Sequence, residues 1–105
     1  MDNFVSEIRA SIIRDHYLIS DHARQRMNQR GIGRSEVLQT ILYGEVVEQT
    51  PNASPHPKCL FINFMQSNRP LYVACGYNSG KEYAIIITVH WFDPDKWFDW
   101  YTRRR

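Results

Sequence analysis

Three residues of one short stretch carry the chemistry this chain has to offer: His22, Arg26 and Arg30, spaced by four within residues 22–32. Positions four apart lie above one another on one side of an α-helix. One imidazole and two guanidiniums therefore form a basic ladder if this stretch is helical. Imidazole changes charge near neutrality, and arginine stays charged and forks onto phosphate oxygens. A titratable group beside two fixed cations suits a phosphodiester. A second group stands near the end of the chain. Strict alternation over 83–92 puts Ala84, Ile86, Thr88, His90 and Phe92 on one face, leaving Ile85, Ile87, Val89 and Trp91 on a face expected to be buried. With both histidines in one cleft, one takes the proton of a ribose 2′-OH and the other protonates the leaving 5′-oxygen. Arg26 or Arg30 then stabilises the charge on phosphorus. Thr88 is the polar neighbour of His90 on that face. Arg24, Lys58 and Tyr72 are further candidates for contacting substrate.

The same residues have plainer readings. A basic run without acids is commonly a solvated helix face. Arg30 falls close to the Ala23 and Met27 side of its helix, a place for a packing or capping arginine. A histidine near a strand end is often structural. No metal or cofactor is expected: His22, His56, His90, Cys59 and Cys75 lack the paired short spacings of zinc sites, and the chain holds no glycine-rich phosphate loop, G-x-S-x-G or H-E-x-x-H.

The elements that must position these groups are legible. Phe4, Val5, Ile8, Ile12 and Ile13 have helical spacing. Residues 16–19 read as a short extended link. Ser20 or Asp21 caps a second helix, which Gly31 stops. Ser35 caps a third, with Glu36 in its first turn, apolar positions at Val37, Leu38, Ile41 and Leu42, and its end at Gly44. The grammar then changes. Val46 and Val47 begin a strand, and three prolines keep residues 50–58 in a loop. Strands follow at 59–65, 70–77 and 83–92, the last the most apolar and expected to be central. Asp93 and Pro94 open a short C-terminal helix containing Trp97, Phe98, Trp100 and Tyr101, whose aromatic side chains are expected to pack on the sheet. The expected fold is α+β: two to three N-terminal helices on one face of an antiparallel four-stranded sheet, with that short helix last and the other face open for a site.

At 105 residues the chain makes a single domain, 1–105, long enough to bury about two-thirds of its unfolded surface. The net charge of +2 does not announce nucleic acid, but arginines outnumber lysines ten to three and cluster at 24–34 and 103–105. Cys59 and Cys75 sit in apolar runs as buried thiols. The absence of a signal-peptide pattern or a membrane-length apolar run makes the cytoplasm the expected location.

Residues 17–92 also resemble a known family. Ser20-Asp21-His22-Ala23-Arg24-Gln25-Arg26-Met27, then Arg30-Gly31-Ile32, Glu36-Val37 and Gly44-Glu45, match the H-A-x-x-R-(M/L)-x-x-R-G-I pattern of the domain-of-unknown-function family 4258. That family is similar to the RelE/barnase-like superfamily of small ribonuclease toxins. The resemblance implies an α+β fold and a metal-independent endoribonuclease, often a toxin held by a cognate antitoxin. His22, Arg26 and Arg30 fall on its helix motif, and Thr88 falls where such folds place a polar residue on the last strand. Tyr72 departs from the polar or histidine residue expected in the strand at 70–77. The extension at 93–105, with its aromatic residues and arginines, lies beyond the family-like core. The expected function is a toxin-type endoribonuclease with RNA and an antitoxin as partners. The competing functions are a non-catalytic RNA- or protein-binding module and an inactive member of the same fold.

Overall fold

The computed structural model describes residues 3–65, 69–96 and 99. Three ten-residue helices, α1 (Phe4–Ile13), α2 (Asp21–Arg30) and α3 (Arg34–Tyr43), precede most of a five-stranded sheet: β1 (Tyr17–Ile19), β2 (Glu45–Thr50), β3 (Lys58–Phe64), β4 (Pro70–Asn78) and β5 (Tyr83–Trp91). The sheet order is β1-β5-β4-β3-β2. β2 to β5 form the antiparallel meander read from the sequence. The extended link before α2 is a fifth strand, paired parallel to β5 over Tyr17–Ile19. Three residues are too few for an alternation to register, so only the pairing reveals the strand. β5 is interior, as expected of the most apolar strand, with β4 at the geometric centre.

Local chemistry accounts for the helix ends. Asn3 accepts from the backbone N–H groups of Val5 and Ser6 and caps α1. Ser20 caps α2 through Ala23 N–H, and Gly31 closes it at φ 63°, a conformation glycine adopts without penalty. The cap of α3 is Gly33 rather than Ser35, with Glu36 reaching back to accept the Gly33 N–H at 2.8 Å. The carbonyls at its other end are answered from α1: Arg9 donates to Ile41 O and Gly44 O, at 2.9 and 2.8 Å, with its guanidinium over the Phe61 ring.

α1 and α3 cover one face of the sheet. Ile8, Ile12, Val37 and Ile41 bury there against Phe61, Leu71, Val73, Ile86 and Val89. The other face has its own smaller cluster of Leu60, Ile62 and Tyr72, with Val47, Phe64, Ala74 and Phe92 packed on it. The expected C-terminal helix is not present over the described residues. Asp95 N–H and Lys96 N–H fold back on Asp93 in a single turn, while Trp97, Phe98, Trp100, Tyr101 and the terminal arginines lie outside the described residues. No described helix is long and apolar enough to cross a membrane.

Gly44 leads from α3 into β2 without a loop, at a point where a Cβ would lie 2.4 Å from both Thr40 O and Ile62 O. These are backbone oxygens held in the helix and the sheet, so they cannot swing aside. Gly44→Ala is expected to lower stability by about 2 kcal/mol, as overpacking does, read as a lower urea midpoint at an unchanged m-value.

Cys59 and Cys75, sixteen residues apart in sequence, are direct partners across β3 and β4, both reduced and buried. Burial pushes the Cys59 thiol up to about 12, with Arg9 pulling weakly the other way. Burial, then the neighbouring Cys59, raises Cys75 as well. Both thiols ionise more easily in the unfolded chain, near about 8.5. Their stabilising effect is therefore complete below that pH and is lost as the pH climbs toward the raised folded-state values. Alkylation by iodoacetamide at mildly alkaline pH is expected to track global unfolding, and the denaturation midpoint to fall with rising pH above about 9.

Candidate functional site

Two β-bulges shape the open face of the sheet. In β5, Thr88 pairs with Ala74 and Ile86 with Cys75, so Ile87 is an extra residue. In β2, Val46 pairs with Phe61 and Glu48 with Leu60, so Val47 is extra. A bulge shifts the alternation of its strand by one. The faces of β5 therefore differ from the strict alternation expected. Ala84 and Ile86 face the helices, and after the bulge Val89 and Trp91 take that face. Thr88 opens instead onto the face bearing Leu60 and Ala74. The bulge in β2 turns Glu48 to that same face. Thr88, Ala74, Leu60 and Glu48 form one register row across four strands, with a bulge at each end.

The row is the floor of a trough of about 240 Å³. Ile87 and Thr88 form one wall, and Glu48, Thr50 and Lys58 the other. Three strand spacings put the walls about 14 Å apart. The floor is low because Ala74 and its neighbour Gly76 are small. A Cβ on Gly76 would already touch the Ile87 side chain at 3.4 Å.

α2 brings His22 to Thr88, at the edge of this trough. Where β1 ends, β5 loses its strand partner on that side, and α2 takes its place. Ser20 N–H donates to Ile86 O at 3.0 Å, Ser20 Oγ to Ile87 O at 2.9 Å, and Arg30 Nη1 to Val89 O at 3.0 Å. Ser20 thus caps the helix and fastens it to the bulge at once. Two residues later the imidazole of His22 meets Thr88, with Nε2 3.1 Å from Oγ1. A hydroxyl both donates and accepts, so Thr88 can hold the ring whether or not Nε2 carries a proton.

Of the residues selected from sequence, Thr88 and Lys58 line this trough, and His22 meets its edge through Thr88. Arg30 and His90 come together elsewhere: both line a cleft of about 320 Å³ with Arg69, Trp91, Phe92, Asp93, Pro94 and Lys96. Arg30 is in part the packing arginine its helical position suggested. Arg26 lies between the two sites, half-buried, donating to Gln29 Oε1 at 3.1 Å. Arg24, two residues after His22, is turned to the opposite flank of α2, where it lines a cavity of about 300 Å³ with Arg34. Tyr72 is fully buried and stacked on the His90 ring, with centroids 4.9 Å apart, so it is a packing residue rather than a substrate contact. Glu48 and Thr50 were not foreseen; strand register puts Glu48 in the row of Thr88, and Thr50 lines the same trough. Among the described residues no group of three or more His, Cys, Asp or Glu side chains converges.

The chain is thus a small α+β domain in which a helix N-terminus delivers a histidine to Thr88, at the edge of a trough on the open face of a sheet. It belongs to the family described as Domain of unknown function (DUF4258), whose model matches residues 19–91, from the last residue of β1 to the end of β5. No curated protein and no solved structure matches the chain.

Ser20 holds four bonds at the root of the site. Ser20→Ala is expected to cost about 1 kcal/mol of stability, the usual loss for an N-cap, measured by urea unfolding. It is also expected to broaden or shift the His22 ring resonances in the NMR spectrum, because the helix start is no longer fastened to Ile87.

Proposed function

We propose that the protein is a metal-independent endoribonuclease of toxin type, with its reaction centre at the His22 end of the trough. The observation that carries this reading is the hydrogen bond between His22 and Thr88, the latter on the wall of a trough whose opposite wall bears Glu48 and Lys58. A carboxylate on one side and an imidazole on the other are the two proton-transfer groups that cleavage through the 2′-hydroxyl requires.

Glu48 takes the proton of the 2′-OH as that oxygen bonds to phosphorus. His22, entering as the imidazolium, gives its proton to the 5′-oxygen as the P–O5′ bond breaks. The products are a 2′,3′-cyclic phosphate and a free 5′-hydroxyl. Lys58 offers positive charge to the phosphoryl oxygens as they gain electron density. Thr88 positions the ring and stays in contact with it before and after proton loss. His90, taken at the sequence level as the second proton-transfer group, is replaced in that role by Glu48: its ring is stacked on Tyr72 and lines the other cleft. The resemblance of the α2 motif to RelE/barnase-like ribonuclease toxins supports the same reading, and with it a cognate antitoxin as protein partner.

The test is cleavage of a defined RNA in the presence of EDTA. His22→Ala is expected to lower the rate by roughly 10²–10⁴-fold, the usual contribution of one general acid or base. Its melting temperature should stay near that of the wild type, because the ring is exposed. A wild type that cuts no RNA, or a His22→Ala protein that cuts as fast, would remove the proposal. RNA binding without cleavage would leave a binding module on the same fold.

A further inference from the structure

The cleft that holds Arg30 and His90 is built differently from the trough. Arg30, Arg69 and Lys96 bring three permanent cations to it, against the single carboxylate of Asp93. That carboxylate is engaged in its own turn, with Oδ1 accepting from Asp95 N–H at 2.9 Å. The arginines are held in place rather than loose. The Arg69 guanidinium lies 4.2 Å above the Trp91 ring, whose indole N–H donates to Arg30 O at 3.2 Å. Arg30 itself is anchored by one N–H on Val89 O, and a guanidinium has five N–H donors in its fork. A pre-set pair of guanidiniums and an ammonium around a cavity of about 320 Å³ is an anion site with room for a phosphate group.

Its place along β5 sets which phosphate. Thr88 is at the trough, and His90, two residues on, is at the cleft. Two residues of strand span about 7 Å, close to the step between neighbouring phosphates along an extended single strand. We propose that this cleft binds the backbone phosphate adjacent to the one cleaved, so that the substrate is single-stranded RNA extending past the cut toward Arg69 and Lys96. The inference rests on the ribonuclease reading of the trough and adds to it the direction and minimum length of the substrate: a dinucleotide, with one phosphate, leaves the cleft empty.

The experiment is fluorescence anisotropy of a labelled 2′-O-methyl octanucleotide, which lacks the attacking hydroxyl and so reports binding alone, at low and at raised salt. Arg69→Gln and Lys96→Gln are each expected to weaken binding by about 3–10-fold and to flatten the salt dependence by about one phosphate contact. Arg14→Gln, at the far end of α1, should bind like the wild type, and a 2′-O-methyl dinucleotide should not distinguish the cleft variants from it. Melting curves of all variants check that the fold is kept. If both cleft variants bind the octanucleotide like the wild type, or if the wild type does not bind it at low salt, the cleft is not a phosphate site. Cleavage of unmodified RNA is scored separately. Cleft variants that lose binding while the wild type cuts nothing would support the phosphate site and remove the chemistry. Cleavage with unaltered binding in the variants would do the reverse.

Discussion

The structure depends on how β5 is completed along one edge. β1 covers β5 for only three residues, ending at Ile86. Beyond it the carbonyls of Ile87 and Val89 point from a packed interior toward an edge without a strand. Backbone groups in such places are costly to leave unpaired. Here a serine hydroxyl and a guanidinium from α2 answer them, at 2.9 and 3.0 Å. Ser20 and Arg30 are ten residues apart at the two ends of one helix, so these two bonds set the position of α2 against β5. What lies between follows: His22 at the bulge, Ala23 and Met27 against the core, Arg24 on the far flank. One rung of the basic ladder, Arg30, thus serves as a structural fastening.

Much of this was legible in the residues. The three helices follow from the 3.6-residue spacing of Phe4, Ile8 and Ile12 or Val37 and Ile41, and from stop signals such as Gly31. The antiparallel meander follows from its alternation and turns. β1 was not legible, because three residues carry no period and its partner lies more than sixty positions away. The cross-strand meeting of Cys59 and Cys75 depends on register, which spacing alone does not give. The displacement of Arg24 from His22, by contrast, was available in principle: two residues at about 100° each carry a side chain to the other side of a helix.

The site itself was half visible. His22 and Thr88 were each selected and do meet, but through a face of β5 that simple alternation described incorrectly. The bulge at Ile87 has no mark in the sequence, since the run around it is apolar on both sides. Glu48 was invisible for the same reason, because a second bulge turns it outward. Both bulges lie at the ends of one register row, so the trough is bounded where hydrogen-bonded pairing is interrupted, and its floor is made where pairing is regular.

The bulge in β5 also makes the strand sensitive to how it is paired. Nine residues serve two faces, and their alternation slips by one at Ile87. Ironing the bulge out with no residue lost would restore a strict alternation, yet it would carry Thr88 and His90 to the helix side or push Ala84 and Ile86 out of it. Deleting Ile87 would keep both faces, because Thr88 would then follow Ile86 in regular alternation, but it would remove the carbonyl that accepts from Ser20 Oγ. Substitutions along β5 act one side chain at a time, whereas a slip in pairing at Ile87 would reassign half the strand. The bulged pairing between Ile86 and Thr88 is therefore as much a part of the candidate site as the identity of any residue within it.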